Sequence, residues 1–483
     1  MIHHVPRRIK REERIPVMRL WHEWWKWCAP LRGACARERT FAWMCVVLAG
    51  FCTREELWGV TSFVRALGLK PACYGRLLGF FHSPALDVDN LTRLWTALVA
   101  KRHPGLLRVN GWLVLVCDGL KAGKAGKKMP GVKRLYQSSE SNTKPEYILG
   151  HSCQAVAILA RGLSSVVAIP LAARIHEGLV FSNRDQRTLL DKMIELLGLL
   201  GLDQPYYLVA DAYYASRKIA LPMLRAGNHL VTRVRKNAVA YLPAPAPERR
   251  KRGRPKLYGE KIPLTSLFDN PETMQTLESP VYDESGVLLS VWVADLLWRP
   301  VGIVVRFVAV IHPTRGRVIL MTTDLSLQPI DVIRLYGYRF KIEVSFKAAL
   351  RGVGAFFYHF WMNGMVPITR KARDQYLHRK SAAYRDAVRR KLAAYHRFIQ
   401  LGLVAQGIML ALATTVPNLV WASFGSWLRT IRPGIVPTEA VTSIALRNSL
   451  PYFLADCAPD PKLAKFVQER LDLKNAKAKS LAA

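Results

Sequence analysis

The sequence is short of acidic residues for its content of basic ones. Its 483 residues hold 35 Asp and Glu against 71 Lys and Arg, which gives a formal net charge of +36. Half of the residues are hydrophobic, so the length predicts several domains with their own cores. A folded chain with this charge imbalance most often binds a polyanion. Nucleic acid is the favoured partner, and an anionic membrane surface or a ribosomal partner is the alternative.

The eight cysteines lack the spacing of a metal site. There is no CxxC pair and no group of Cys and His at zinc-like intervals. The basic N-terminal residues are not followed by the apolar run of a signal peptide. We therefore expect reduced cysteines in a cytosolic protein.

Charged residues are absent from 398 to 428, a stretch long enough to span a bilayer. However, Gln400 and Gln406 interrupt its apolar character, and Pro417 breaks it. This pattern favours a buried helix that ends near Thr415, followed by a second short helix. No membrane is expected as a partner.

Residues 1–108 have a mostly helical pattern. Residues 54–67 and 72–82 predict two helices, with Gly68 and Pro71 in the turn between them. Tyr74 and Arg76 would lie early on the second helix, where a helix-turn-helix reads bases. An ordinary helical hairpin fits equally well. We expect this region to bind DNA.

The region from 109 to 238 alternates short apolar runs with periodic segments. The runs predict strands at 112–117, 152–159, 164–171, 206–210 and 228–234, and the periodic segments predict helices at 184–200 and 215–225. This order is expected of a ribonuclease-H-like sheet, in which acidic residues cluster at strand ends.

The remaining regions complete a multidomain α/β fold. Residues 239–315 predict a basic linker and a β-rich insertion that interrupts the core, and 316–360 predict the last core strand and a long helix from Pro329 to about Arg351. Residues 361–483 predict a helical region for assembly or DNA contacts. The predicted fold is a ribonuclease-H-like mixed sheet with helices, flanked by helical N- and C-terminal regions.

Asp118 and Asp211 each follow an apolar strand. Acidic residues at the same edge of a sheet can hold the divalent ions that two-metal phosphoryl transfer requires. Either residue alone is better explained as a turn or helix cap. Together with a suitably placed glutamate, they favour a metal site.

Glu343 is the expected third acid. It lies on a predicted helix with Tyr336, Arg339 and Lys347, and the four positions fall within an arc of roughly 80° on one face. The glutamate could simply form a surface salt bridge with these cations, which would contribute little to stability. The alternative is a metal ligand beside Arg and Lys side chains that bind DNA phosphates.

Four segments resemble a known family: VCDG around Asp118, LVADAYYAS around Asp211, LMTTDLSL from Leu320, and YGYRFKIEVSFK around Glu343. They look like insertion-sequence transposases with the DDE motif, of the insertion-sequence-4 type. The resemblance implies that the three acids hold Mg²⁺, or Mn²⁺ in its place, as two ions. It also implies cleavage of double-stranded DNA at transposon ends, transfer of the freed 3′ hydroxyl to target DNA, and a homodimer in the DNA complex. The location implied is the bacterial cytoplasm, at the nucleoid.

The sequence departs from the signature of that family at one position. Its pattern is Y-x2-R-x3-E-x6-K, and the last position is Leu350 here. Lys347, one turn earlier, or Arg351 could take over the phosphate contact of the missing lysine.

Basic and aromatic residues outside these segments are further candidates for DNA contacts. Arg252, Arg254 and Lys256 surround a Gly-Arg-Pro sequence that fits either an AT-hook or a solvated basic linker. The cations near Asp118 that we expect on DNA phosphates are Lys121, Lys124, Lys127 and Lys128. Trp292 and Trp298 could stack on an extruded base, although tryptophans at strand positions are more often core residues.

Two other functions fit the same sequence. One is a catalytically silent DNA-binding repressor derived from a transposase. The other is a metal-dependent DNA nuclease that does not join strands.

Overall fold

The computed structural model describes residues 11–137, 145–163, 165–246, 255–281, 284–425, 431–456 and 460–472. The α-helices of these residues are α1 (Arg11–Cys28), α2 (Glu38–Thr53), α3 (Thr61–Ala66), α4 (Cys73–His82), α5 (Val88–Arg102), α6 (Leu189–Leu199), α7 (Arg217–Arg225), α8 (Pro329–Tyr338), α9 (Phe340–Ala348), α10 (Ala382–Thr415), α11 (Pro417–Phe424), α12 (Glu439–Asp456) and α13 (Pro461–Gln468).

The strands of the same residues are β1 (Arg108–Val109), β2 (Trp112–Gly123), β3 (Lys133–Tyr136), β4 (Tyr147–Arg161), β5 (Val166–Ile175), β6 (Leu179–Val180), β7 (Tyr206–Ala210), β8 (His229–Arg233), β9 (Val239–Pro243), β10 (Tyr258–Pro263), β11 (Gln275–Glu278), β12 (Leu288–Trp298), β13 (Ile303–His312), β14 (Gly316–Thr322) and β15 (Gln375–Tyr376).

The centre of the fold is a mixed sheet. Its central strands lie in the order β5, β4, β2, β7 and β8, with β5, β4 and β2 antiparallel and β2, β7 and β8 parallel. Along the chain, β2, β4 and β5 are followed by α6, β7, α7 and β8, which is the predicted order. The expected mixed sheet with helices, in a multidomain α/β chain with helical regions toward both termini, is confirmed.

The predicted insertion does not form a separate sheet. Strand β14 pairs with β8, and β13, β12 and β9 follow it outward, so the strands of 239–315 extend the core sheet. The boundary expected at 315 falls in the turn of the β13–β14 hairpin, where His312 pairs with Gly316. The sequence does not reveal this continuity because strand pairing is a long-range property.

Helices from both ends of the chain pack together on one side of the sheet. Helix α10 lies against β5 and α2, and α1 contacts α11 and α12. Among the described residues, α10 is the one helix long and apolar enough to cross a membrane, but 89% of its most apolar window is buried inside the protein. The prediction of a buried helix that ends near Thr415, followed by a short helix, is confirmed.

The long helix expected from Pro329 is broken at Arg339. The backbone N–H of Arg339 bonds to the carbonyl of Tyr336, three residues back, and α9 then begins. A π-helical turn at Ala349–Val353 follows α9 and ends at Gly354, whose φ is +69°. Such turns shift the face that a helix presents, and they occur often at functional sites.

The N-terminal hairpin is shorter than expected. Helix α2 extends to Thr53, and the first helix of the hairpin, α3, starts only at Thr61. Gly68 has φ +59° in the turn, and α4 then exposes Tyr74 and Arg76. This geometry fits both a helix-turn-helix and a structural hairpin.

Candidate active site

Asp118 and Asp211 lie side by side on adjacent parallel strands. The β2–β7 pairing runs to Val116 opposite Val209, and both acids are two residues further along. Adjacent strands lie about 4.8 Å apart. The two acids therefore lie at neighbouring positions of the sheet.

The expectation that Asp118 ends its strand is wrong. Strand β2 continues to Gly123, and Asp118 pairs with Ala155 of β4. Asp211 does directly follow β7, as expected. The acids thus meet where β7 ends while β2 passes on beside β4.

Arg339 joins Asp118 to Glu343. Its Nη1 lies 3.0 Å from Oδ2 of Asp118, and its Nη2 lies 2.6 Å from Oε1 of Glu343. The side chains of Arg339 and Asp118 are about one-fifth exposed (20% and 21%), and that of Glu343 is 43% exposed. One guanidinium therefore bridges two of the three predicted acids.

Burial of one helix face holds Arg339 and Glu343 over the sheet. Val332 and Leu335 of α8 and Ile342 of α9 are fully buried in the same core as Val114 and Val116 of β2. The apolar positions of the two helices thus fix which side chains face the two aspartates.

The pKa of Asp118 is raised from its ordinary value to about 6. Burial is the largest cause, and the negative charges of Asp211 and Glu343 add to it. The N–H of Gly119 and the guanidinium of Arg339 oppose the rise. A cation bound beside Asp118 would favour its ionised form.

Asp211 also caps a short helical turn. Its Oδ1 accepts the backbone N–H of Tyr213 at 2.9 Å, and its carbonyl accepts the hydroxyl of Thr232 at 2.7 Å. Its other carboxylate oxygen accepts no hydrogen bond from the described residues. The cap fixes the side chain and leaves one oxygen to bind a ligand.

The donor set fits a hard divalent ion, but it is not assembled around one. Within the described ranges, no group of three or more His, Cys, Asp or Glu residues is arranged to hold a metal. The guanidinium of Arg339 instead lies between the carboxylates of Asp118 and Glu343. Carboxylate oxygens are the ligands that Mg²⁺ and Mn²⁺ prefer.

The other predicted phosphate ligands lie on α8, on α9 and in the π-helical turn that follows. Tyr336 is partly buried against the core, whereas Lys347 and Arg351 are exposed. Leu350, at the departing signature position, packs partly buried against the main core. Lys347 and Arg351 are the exposed cations nearest in sequence to this position.

One of the lysines near Asp118 was assigned wrongly. Lys121, Lys127 and Lys128 are exposed, but Lys124 is only 8% exposed. Its ammonium group bonds to the carbonyl of Phe356, lies 3.5 Å from the centre of the Tyr358 ring, and has a pKa lowered by burial to about 7. Lys124 therefore joins β2 to the segment after α9 and cannot reach DNA.

The two tryptophans differ. Trp298 is 5% exposed within the main core, so its assignment as a base-stacking residue is wrong. Trp292 is 37% exposed and stays a candidate. Lys256 is exposed, and Arg252 and Arg254 lie outside the described residues.

Sequence reasoning missed a polar chain beside the aspartates. The amide of Gln154 donates to the hydroxyl of Tyr214 at 3.3 Å, and its oxygen lies 2.7 Å from Nδ1 of His176. Burial raises the pKa of Tyr214, and the charges of Asp118 and Asp211 add to the rise. The available signal was a glutamine inside the apolar run of β4.

Comparison with known proteins gives a family, and the likeness to solved structures is weak. No curated protein matches the chain. A piggyBac transposase, solved by cryo-EM in a synaptic complex with hairpin DNA, is 13% identical with a TM-score of 0.33, over 97% of this chain and 77% of that one. This likeness is too low to bear on function.

The family match covers more than half of the sequence. Residues 30–286 match the family described as DDE superfamily endonuclease. The matched segment includes Asp118 and Asp211 and ends before Glu343. The chain therefore belongs to the DDE superfamily of endonucleases.

Proposed function

We propose that the protein is a DNA transposase that cleaves transposon ends and joins the freed 3′ hydroxyl to target DNA. The observation that carries the proposal is the convergence of three acids, in which Asp118 and Asp211 lie in register and Arg339 ties Asp118 to Glu343. Membership of the DDE endonuclease superfamily supports it. The signature residues Tyr336, Arg339 and Glu343 further favour the insertion-sequence-4 type.

Asp118, Asp211 and Glu343 would hold Mg²⁺ or Mn²⁺, as two ions. Bound there, the ions would activate the attacking oxygen and stabilise the leaving one. The acids supply hard oxygen ligands, and the sheet and the cap at Tyr213 keep two of them fixed. Asp118 must give up its proton to serve, which its pKa of about 6 allows at neutral pH.

Arg339 has a second role in this proposal. Its guanidinium can bind a phosphate with the same two N–H groups that it now donates to Asp118 and Glu343. Exchange of carboxylates for phosphate would free both acids for metal. Tyr336, with Lys347 or Arg351, would hold the neighbouring phosphate.

The proposed partner is double-stranded DNA, in the form of transposon ends and target. The net charge of +36 and the exposed Lys121, Lys127 and Lys128 in the segment that follows Asp118 support it. Cutting two ends in one assembly calls for a homodimer in the DNA complex. We further propose that it acts at the bacterial nucleoid, the location that the resemblance to insertion-sequence transposases implies.

The test is cleavage of a plasmid that carries the DNA flanking the protein's own gene, with Mg²⁺ or Mn²⁺. Asp118→Asn, Asp211→Asn and Glu343→Gln should each abolish cleavage. Asp203→Asn is the matched control, because this exposed acid precedes β7 at the opposite end of the strand from Asp211. Normal cleavage by any of the three variants would contradict the proposal.

A strand-transfer assay separates the transposase from a nuclease. A transposase joins the cut 3′ end to a second labelled duplex, whereas a nuclease leaves it free. A repressor would bind the duplex and cut nothing.

A further inference from the structure

A basic cavity opens at the edge of the sheet that carries Asp211. Its volume is about 340 Å³, and its polar lining comes from Arg233, Lys236, Arg317 and Thr265. The buried ring of Phe268 forms part of its apolar wall. We call this feature the basic cavity.

The basic cavity lies at the same end of the strands as the candidate active site. Strand β8 runs parallel to β7 with Thr232 opposite Ala210, so Arg233 is in line with Asp211. Strand β14 runs antiparallel to β8 and begins at Gly316, which brings Arg317 to the same edge. Neighbouring strands lie about 4.8 Å apart, so Arg233 is one strand from Asp211. Side chains alternate between the two faces of a sheet, and Val234, Ile319 and Phe268 belong to the same core as Ala210 rather than Val209, so most of the cavity wall lies on the face opposite Asp211.

Its three cations lack counter-ions. Among the described residues, Arg233, Lys236 and Arg317 form no ion pair and no side-chain hydrogen bond. Nearby arginines of the same sheet are paired: Arg306 with Asp295 at 2.8 Å and Arg315 with Glu284 at 2.7 Å. Three unpaired cations around one concavity repel one another and attract an anion.

Part of the cavity is held in shape. The guanidinium of Arg317 lies 5.4 Å from the centre of the Phe268 ring, and the backbone N–H of Val234 bonds to the carbonyl of Ile319 at 3.0 Å. The cations thus project from an ordered wall rather than from a free loop.

We propose that the basic cavity binds a backbone phosphate of the DNA that Asp118 and Asp211 act on, where the duplex crosses this end of the sheet. This inference rests on the proposed function. Phosphate contacts fix the position of a strand without reading its sequence. The cavity would therefore hold the duplex across this end of the sheet.

The test measures binding of a short fluorescein-labelled duplex in EDTA, so that no metal or cleavage enters. Arg317→Gln and Arg233→Gln should each weaken binding roughly ten-fold. Each should also reduce the slope of log Kd against log salt by about one. Arg317→Lys, which keeps the charge, should recover most of the affinity.

Arg225→Gln is the matched control. Arg225 is exposed at the end of α7, just before β8 begins, and so lies at the opposite edge from Asp211. Equal affinity and equal salt slope for Arg317→Gln and Arg225→Gln would overturn the proposal. A second result would also overturn it: inorganic phosphate stabilises the wild type against heat, and Arg317→Gln abolishes this effect without weakening DNA binding. The cavity would then hold a small anion rather than DNA.

Failure of the proposed function gives a different result. A wild-type protein that binds the duplex through Arg317 but never cuts it with Mg²⁺ or Mn²⁺ would refute the transposase and leave the phosphate site standing.

Discussion

Replacing Arg339 with glutamine should strengthen metal binding in the absence of DNA. A metal that enters the site must displace the guanidinium from Asp118 and from Glu343, to which it bonds at 3.0 and 2.6 Å. Glutamine cannot bridge the two carboxylates, and it adds no positive charge against the metal.

The size of the effect follows from the two contacts. A charge-assisted hydrogen bond between largely buried groups contributes about 1.5 kcal/mol or more, which applies to Asp118. The Glu343 side chain is 43% exposed, so solvent screening reduces its contribution to about 0.5 kcal/mol. The sum of about 2 kcal/mol corresponds to a roughly 30-fold lower Kd for Mn²⁺.

The assay is Mn²⁺ titration of the full chain at pH 8, followed by electron paramagnetic resonance. Arg334→Gln is the control, since Arg334 lies on the preceding helix and pairs with Asp331 instead. Adding a DNA duplex to the wild type should raise its Mn²⁺ affinity in the same direction. An Arg339→Gln protein that binds Mn²⁺ no better than the wild type would refute the idea that Arg339 competes with metal.

Three further predictions concern stability. The pKa of Asp118 is raised in the folded state to about 6, so the folded protein holds this proton more tightly than the unfolded chain and loses stability as pH rises from about 4 to 6. In urea unfolding with EDTA, the free energy of unfolding of Asp118→Asn relative to the wild type should therefore increase by up to about 3 kcal/mol over that window. Parallel pH profiles of the two proteins would contradict this. The pKa of Lys124 is lowered by burial to about 7, so its contribution to stability increases as pH rises from 7 towards 10. Lys124→Met should remove that increase. An unchanged profile of unfolding free energy against pH would argue against a buried ammonium. Trp298 is 5% exposed and Trp292 is 37% exposed. Trp298→Ala should therefore lower the free energy of unfolding by about 3 to 5 kcal/mol, and Trp292→Ala by under about 1 kcal/mol. Equal losses in thermal unfolding would contradict this difference in burial.

The strands of the core could be predicted because they are buried. Strand β7 is an uninterrupted apolar run, and its observed bounds, Tyr206–Ala210, are those expected. Asp211 could be predicted as a strand-end acid because it directly follows this apolar run. Glu343 was visible because its cationic neighbours repeat at helical spacing.

Other features depend on partners far away in the sequence. Strand β2 runs on to Gly123 because β4 pairs with it, although Gly119 and Lys121 have the pattern of a loop. Lys124 is buried by Phe356 and Tyr358, more than 200 residues later, so nothing in the lysine-rich run distinguishes it from its exposed neighbours. The bridging role of Arg339 likewise appears only once the sheet and helix meet.

The most direct test of the account is a change of metal preference at one proposed ligand. A thiolate is a softer ligand than a carboxylate and binds Mn²⁺ better than Mg²⁺. We expect Asp211→Cys to lose DNA cleavage with Mg²⁺ and to recover it with Mn²⁺, while Asp203→Cys cleaves with both. Cleavage by Asp211→Cys at the wild-type rate in Mg²⁺ would contradict a metal-binding role for Asp211, and with it the proposed active site.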